Sequence, residues 1–200
     1  MSYFRPAGPI SAKLEIRKSR FICYLSPVSG RAAAERFVQS IKTLHPKASH
    51  NCWSYIAGTP SDASQWNCSD DGEPKGTAGQ PMLNILQHSG HGELCAVVTR
   101  YFGGIKLGTG GLVRAYAQAV QEALKIAEFE EVVPKLNITL QAPYEYTGDL
   151  EQLVSRFNIE VQQRSYDQHL ILQGIIEQAL LPSLQQSLEP VQHKISLQIS

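Results

Sequence analysis

Two stretches of the 200-residue chain concentrate side chains that could do chemistry. Between Cys68 and Met82, Asp70, Asp71 and Glu73 place three carboxylates within four residues, followed by Pro74, Gly76 and Thr77. Between Thr99 and Tyr116, Gly103, Gly104, Gly108, Gly110 and Gly111 stand among Arg100, Lys106 and Arg114, where a helical pattern begins. Backbone N–H groups at a helix start, left bare by glycine and assisted by the helix dipole, accept anions. Arg100, Gly103, Gly104, Lys106, Gly108, Thr109, Gly110 and Arg114 are therefore the candidates for holding a phosphate, from a nucleotide or from RNA. The alternative is that the glycines only let backbone segments approach closely. Gly103-x-x-x-x-Gly108-Thr109 follows a phosphate-binding loop as far as its second glycine. It then lacks the Lys-Ser/Thr pair that meets phosphate and magnesium, which disfavours an ordinary nucleotide triphosphatase.

The acidic residues admit three readings: a cation site, an acid/base pair, or a shaped loop. Calcium of the helix–loop–helix kind needs a longer alternating ligand series ending in a distant Glu, which is absent. Acid/base work needs burial to raise a carboxyl pKa, and nothing local in the sequence implies burial. Turn chemistry favours the third reading, with an Asp accepting backbone N–H bonds ahead of Gly72 and Pro74, Thr77 capping the next helix, and pairing to Arg100 or Lys106 as a further use. His50, His88 and His91 have no spacing that brings one to a nucleophile. His50 reads as a functional imidazole or, preferably, as a hydrogen-bonded structural one. No metal site or cofactor is expected, and no catalytic residue is assigned. A single site requires that Asp70–Thr77 and Gly103–Thr109 line one cleft.

The elements around these stretches follow from periodicity. Ile10–Ile16 alternates as a strand, and after the basic turn Arg17–Arg20 the run Phe21–Leu25 supplies its hairpin partner. Lys13, Arg17, Lys18 and Arg20 make a phosphate-facing patch or a solvated turn. Ala33, Phe37, Ile41 and Leu44 recur at helical spacing over 31–44. Asn51–Ala57 is a strand, and 61–76 a long polar loop containing Trp66, read as packed over a core edge. Ala78–Gln87 is a helix with Pro81 in its first turn, Glu93–Tyr101 a buried strand, and Thr109–Glu128 a long helix. A strand over 132–140 crosses Pro134. Beyond it run a strand (135–142), a helix (146–157), strands (159–166 and 169–175), a helix (177–188) shortened or kinked by Pro182, and a strand (191–199). Such a β-α-β-β-α-β series in about 65 residues is a ferredoxin-like split unit. The reading is thus α+β with two domains, 1–134 and 135–200.

Composition narrows the functions. Hydrophobic residues make up 42%, enough for packed cores, and 18 Lys/Arg balance 18 Asp/Glu, so any nucleic-acid site is a local patch. Up to Pro134 there are 14 basic against 11 acidic residues, and beyond it 4 against 7, a shift from +3 to −3. The four cysteines lack metal-site spacing and read as reduced thiols. No signal-peptide core opens the chain and no apolar run of spanning length occurs, so a soluble cytoplasmic protein without membrane contact is expected.

Ser69-Asp-Asp-Gly-Glu-Pro-x-Gly-Thr-Ala-Gly-x-Pro-Met82, with Arg100-Tyr-Phe-Gly-Gly-Ile-x-Leu-Gly-Thr-Gly-Gly-Leu-Val-Arg114-Ala-Tyr116, resembles the signature of the IMPACT family in its bacterial YigZ-like branch. Lys18-Ser-Arg20-Phe and His50-Asn-Cys52 resemble earlier motifs of that family, and the resemblance spans essentially the whole chain. It implies an amino-terminal domain like ribosomal protein S5 domain 2, shared with small-molecule kinases and domain IV of elongation factor G. It implies a carboxy-terminal domain like domain V of that factor. In those kinases the glycine-rich turn binds nucleotide phosphate, which carries over only to 103–111, because their loop serines are missing. Eukaryotic relatives act in translational control by binding the activator of a stress kinase at the ribosome; their amino-terminal partner-binding domain is not expected in the bacterial branch, so that partner does not carry over. The expected function is a non-enzymatic binding protein linked to translation through RNA, ribosome or protein contact. The alternative is a hydrolase or phosphotransferase acting on a phosphorylated small molecule or nucleotide, with Asp70, Asp71 or Glu73 as base or magnesium ligand.

Overall fold

A computed structural model describes residues 2–199. It divides into two compact units, Tyr3–Val132 and a second from Val133 onward. The first carries, in chain order, β1 (Tyr3–Pro6), β2 (Ile10–Ile16), β3 (Ser19–Pro27), α1 (Arg31–Leu44), β4 (His50–Ile56), β5 (Trp66–Ser69), α2 (Gly79–Ser89), β6 (Leu94–Tyr101), α3 (Thr109–Ile126) and β7 (Phe129–Val132). Five of its strands form one antiparallel sheet in the order β2-β3-β6-β4-β5, and β1 pairs with β7 in a separate ribbon. Strand alternation sends Phe21, Cys23, Leu25, Cys52, Ile56, Ala96 and Val98 to one face, against Met82 and Leu86 of α2 and Leu112, Tyr116 and Val120 of α3. Val97 and Tyr55 go to the other face, against Ala34, Val38 and Ile41 of α1.

Several features of this unit aim the functional segments. Arg17 and Lys18 both have positive φ, 47° and 66°, the geometry of a tight two-residue hairpin turn joining β2 to β3. The α3 face at 112, 115/116, 119/120 and 123 is buried at the 3.6-residue period, which holds its glycine-rich first turn at the end of β6. The second unit holds β8 (Lys135–Ala142), α4 (Thr147–Arg156), β9 (Glu160–Tyr166), β10 (Leu170–Glu177), α5 (Leu181–Leu188) and β11 (Ser196–Ile199). Its sheet runs β11-β8-β10-β9, entirely antiparallel, and buries Ile138, Leu140, Leu170 and Leu172 with Leu150, Leu153 and Leu184 of the two helices. The whole is a mixed α/β fold with several sheets.

Four expectations need correcting. The strand expected over 132–140 is two strands, β7 and β8, since Pro134 donates no N–H and its carbonyl instead accepts from Gln178. The 61–76 stretch is not all loop: Trp66–Ser69 pairs with β4 as an edge strand, and Trp66 packs on the core with its indole N–H buried and unpartnered. The helix expected over 177–188 is shortened rather than kinked: α5 starts at Leu181, beside Pro182, where the missing N–H is harmless. The last strand is short, Ser196–Ile199, and a 3-10 turn occupies Glu189–Val191. No helix among the described residues is long and apolar enough to cross a membrane.

Candidate functional site

The loop after β5 is shaped by its own aspartates. Asp70 accepts the N–H groups of Gly76 (2.7 Å), Ala78 (3.0 Å) and Gly79 (2.8 Å), so its carboxylate caps the start of α2 from outside the helix. Burial pushes the Asp70 pKa up, but the three backbone bonds outweigh it and hold the carboxyl below its ordinary value. Thr77 does not cap α2. Its hydroxyl donates to the Pro74 carbonyl at 2.7 Å, and the N-cap position falls to Ala78 without a side-chain bond. Asp71, at φ 44°, accepts from the Lys42 ammonium (2.6 Å) and the Asn51 N–H (2.7 Å). Both aspartates are thereby engaged in holding the loop against α1, β4 and α2, and neither is left as a base or metal ligand.

Glu73 differs from them. Its side chain is 3% exposed and accepts at Oε1 from Arg100 Nη1 (2.6 Å) and the Tyr116 hydroxyl (2.8 Å). Burial leads the causes that push the Tyr116 pKa far up, followed by Cys52 and Glu73, so this phenol stays a donor. Cys52, its thiol also pushed up by burial, donates to the Asp70 carbonyl. On the other side, His50 Nδ1 lies 3.0 Å from the Asp71 carbonyl, which can only accept. In the neutral ring that bond puts the proton on Nδ1 and leaves Nε2 as an acceptor 3.8 Å from Glu73 Oε2.

The second segment meets the first at this point. Arg100 on β6 is 6% exposed, and its guanidinium lies 5.5 Å from the Phe21 ring and 5.6 Å from the Phe102 ring. Its Nε is buried with no partner. After β6 the chain turns at Gly103, where an added Cβ would stand 2.0 Å from the Lys18 carbonyl carbon, and Gly103 N–H donates to Ser19 Oγ. Gly104 and Gly108 have φ of 85° and 75°, which demand glycine. The α3 N-cap, Gly108, provides no side-chain cap, so the first-turn N–H groups lie open. A cleft of about 320 Å³ lies between the segments, lined by His50, Glu73, Pro74, Arg100, Phe102, Lys106, Leu107, Gly108, Thr109 and Leu112.

The model of the Impact N-terminal domain matches residues 17–124. An IMPACT family member of Haemophilus influenzae is 46% identical over 180 residues, 89% of this chain and 87% of its own length. The chain belongs to the IMPACT family. The IMPACT family member YigZ of Escherichia coli is 44% identical over 171 residues, 86% of this chain and 84% of its own. A crystal structure described as that of a hypothetical protein superposes with a TM-score of 0.72 at 40% identity, covering 99% of this chain and 96% of its own.

Within this IMPACT family chain, the segment matched by the domain model holds the whole cleft. Of the residues expected from the sequence, Arg100, Lys106, Gly108, Thr109 and Glu73 line it together. Gly103 and Gly104 shape the loop beneath, and Gly110 lies exposed in the first turn of α3. Arg114 is exposed on α3 and is not a cleft residue, while Asp70, Asp71 and Thr77 build the wall without facing the space. Tyr116, Phe102 and Pro74 were not expected at the site, and His50 was expected as a structural imidazole in preference to a functional one. The signal for Phe102 was present: an aromatic inside a glycine loop flanked by cations, here 51% exposed. Among the described residues no group of three or more His, Cys, Asp or Glu is arranged to hold a metal ion.

Proposed function

We propose that this protein is a cytoplasmic binding protein linked to translation, and that its first unit contacts RNA through the cleft and the basic turn beside it. The observation that carries this reading is the convergence of an uncapped α3 N-terminus with Lys106 and the buried Arg100 in one cleft. Gly103 is pressed against Lys18, so the exposed Arg17–Lys18 turn adjoins the same loop and extends its positive rim. Phosphate contacts of this sort supply sequence-independent affinity that falls with salt. The acidic segment supports binding rather than catalysis, because Asp70 and Asp71 already hold backbone or lysine donors.

The same proposal extends to the fold. We read the first domain, expected over 1–134 and centred on the unit Tyr3–Val132, as S5 domain 2-like. We read the second, 135–200, as ferredoxin-like, supported by its β-α-β-β-α-β order and by the sheet order β11-β8-β10-β9. Likeness of both to elongation-factor domains is what ties the binding surface to the ribosome rather than to nucleic acid at large. The test is cosedimentation with ribosomes and filter binding of RNA across a salt series. Wild type binds at moderate salt, and Lys106→Ala or Lys18→Ala each lower the log–log salt slope by about one. Absence of RNA and ribosome binding, or identical slopes in the variants, contradicts the reading.

A further inference from the structure

We infer that the cleft receives one unpaired nucleotide of an RNA strand, with phosphate at the α3 N-terminus, base on the Phe102 ring, and the base's amino edge toward His50 and Glu73. This rests on the RNA reading above and specifies the form of RNA. The cleft has chemically distinct ends. At the exposed end stand the first-turn N–H groups of an 18-residue helix, with Lys106 beside them. These are donors and a cation, suited to one phosphate. Arg100, more than nine-tenths buried, lines the same cleft, with Nη1 on Glu73 and Nε unpartnered, so a second cation is built into the wall beside the helix start.

At the buried end the polarity reverses. Glu73 Oε1 already takes two hydrogen bonds, while Oε2 has no partner closer than His50 Nε2 at 3.8 Å. In the neutral ring His50 Nε2 is itself an acceptor, since its other nitrogen donates to the Asp71 carbonyl. With the ring neutral, the open Glu73 oxygen and His50 Nε2 stand together as acceptors, which a donor from outside satisfies. A second phosphate or a carboxylate there would meet the Glu73 charge, so the group that fits is a neutral N–H, such as an exocyclic amine. Between the ends the walls are apolar: Pro74, Leu107, Leu112 and the Phe102 ring. Arg100 lies over Phe102 at 5.6 Å, and Phe102 N–H is tied to Ser49 Oγ, which steadies an aromatic that remains half exposed. Phosphate, flat base and amine occur in that sequence in a nucleotide, and about 320 Å³ admits one. A paired base has its amino edge engaged and its faces stacked, so the occupant must be unpaired.

The experiment is fluorescence anisotropy with oligocytidylate, oligouridylate and a blunt RNA duplex of equal length, against wild type, Phe102→Ala and His50→Ala. Cytosine presents an amine where uracil presents a carbonyl oxygen, at nearly equal size. Oligocytidylate is expected to bind about tenfold more tightly than oligouridylate, and His50→Ala to abolish that difference. Phe102→Ala, at an exposed position that leaves folding intact, is expected to weaken single-strand binding about 5- to 100-fold and duplex binding hardly at all. RNA binding that is equal for duplex and single strands, or unaffected by Phe102→Ala, overturns the one-nucleotide pocket and leaves the RNA reading standing. No RNA binding in any form, including capture only by a ribosomal protein fraction, overturns both.

Discussion

The acidic and the glycine segments look alike as sequence, each a run of turn formers and like charges, yet the fold treats them in opposite ways. In the acidic segment every carboxylate has found donors: Asp70 takes three backbone N–H groups, Asp71 a lysine and an N–H, Glu73 an arginine and a phenol. In the glycine segment the donors stay open, since α3 begins without a side-chain cap and Arg100 keeps a nitrogen without a partner. Polar residues become available to a ligand when the fold leaves their hydrogen-bonding capacity unmet. A charge cluster whose capacity is met is scaffold. By that criterion the cleft is an acceptor of anions built against saturated aspartates, with one oxygen of Glu73 left open at its inner end.

The contrast can be broken most severely at Glu73. Glu73→Ala strands the Arg100 guanidinium in the interior, and breaking a buried pair in this way costs about 3–5 kcal/mol. Urea unfolding should show that loss, whereas Glu73→Gln, which keeps an acceptor, should lose less. A smaller effect is expected at Asp70. Asp70→Asn weakens the α2 cap by about 1–3 kcal/mol. Because the folded Asp70 carboxyl is held below its ordinary value, its contribution is complete above pH of about 4 and fades as pH falls through the folded pKa. Urea midpoints measured between pH 2 and 6 should therefore drop on the acid side in wild type and drop less in the variant.

The glycines permit the finest cut, because they are glycine for different reasons. Gly103→Ala would drive a Cβ into the Lys18 backbone and is expected to cost about 1–3 kcal/mol and to displace the basic turn. Gly104 and Gly108 are held by positive φ. Gly110 has neither constraint: its φ is ordinary, and an added Cβ meets nothing within 4 Å. For folding alone, alanine there should be better by about 0.5–1 kcal/mol.

Much of the frame could be read from spacing. The strand over 10–16 and the helix over 31–44 fall at the same residues in the structure, since each has a clean two- or 3.6-residue apolar period. Trp66–Ser69 escaped notice because a four-residue edge strand has too few alternations to show a period. The single strand expected over 132–140 came from β propensity on both sides of Pro134, which hides a break between two sheets. At the site, the glycine turn was legible because its chemistry is local. The burial of Glu73 was not, because its partners Arg100 and Tyr116 lie 27 and 43 residues away and only the β6–α3 packing brings them in. The aspartate capping was foreseen in kind, but Thr77 was given a role that belongs to Asp70, whose reach of six to nine residues forward exceeds any local capping pattern.

The central claim, that the open start of α3 is an anion seat, is tested most directly by measuring urea stability and RNA affinity together for Gly110→Ala. The account predicts a protein as stable as wild type or slightly more so that binds RNA several-fold more weakly, because the new methyl covers N–H groups that phosphate must approach. Unchanged affinity in a stably folded Gly110→Ala protein would contradict it, and would leave the glycines of this turn as packing residues only.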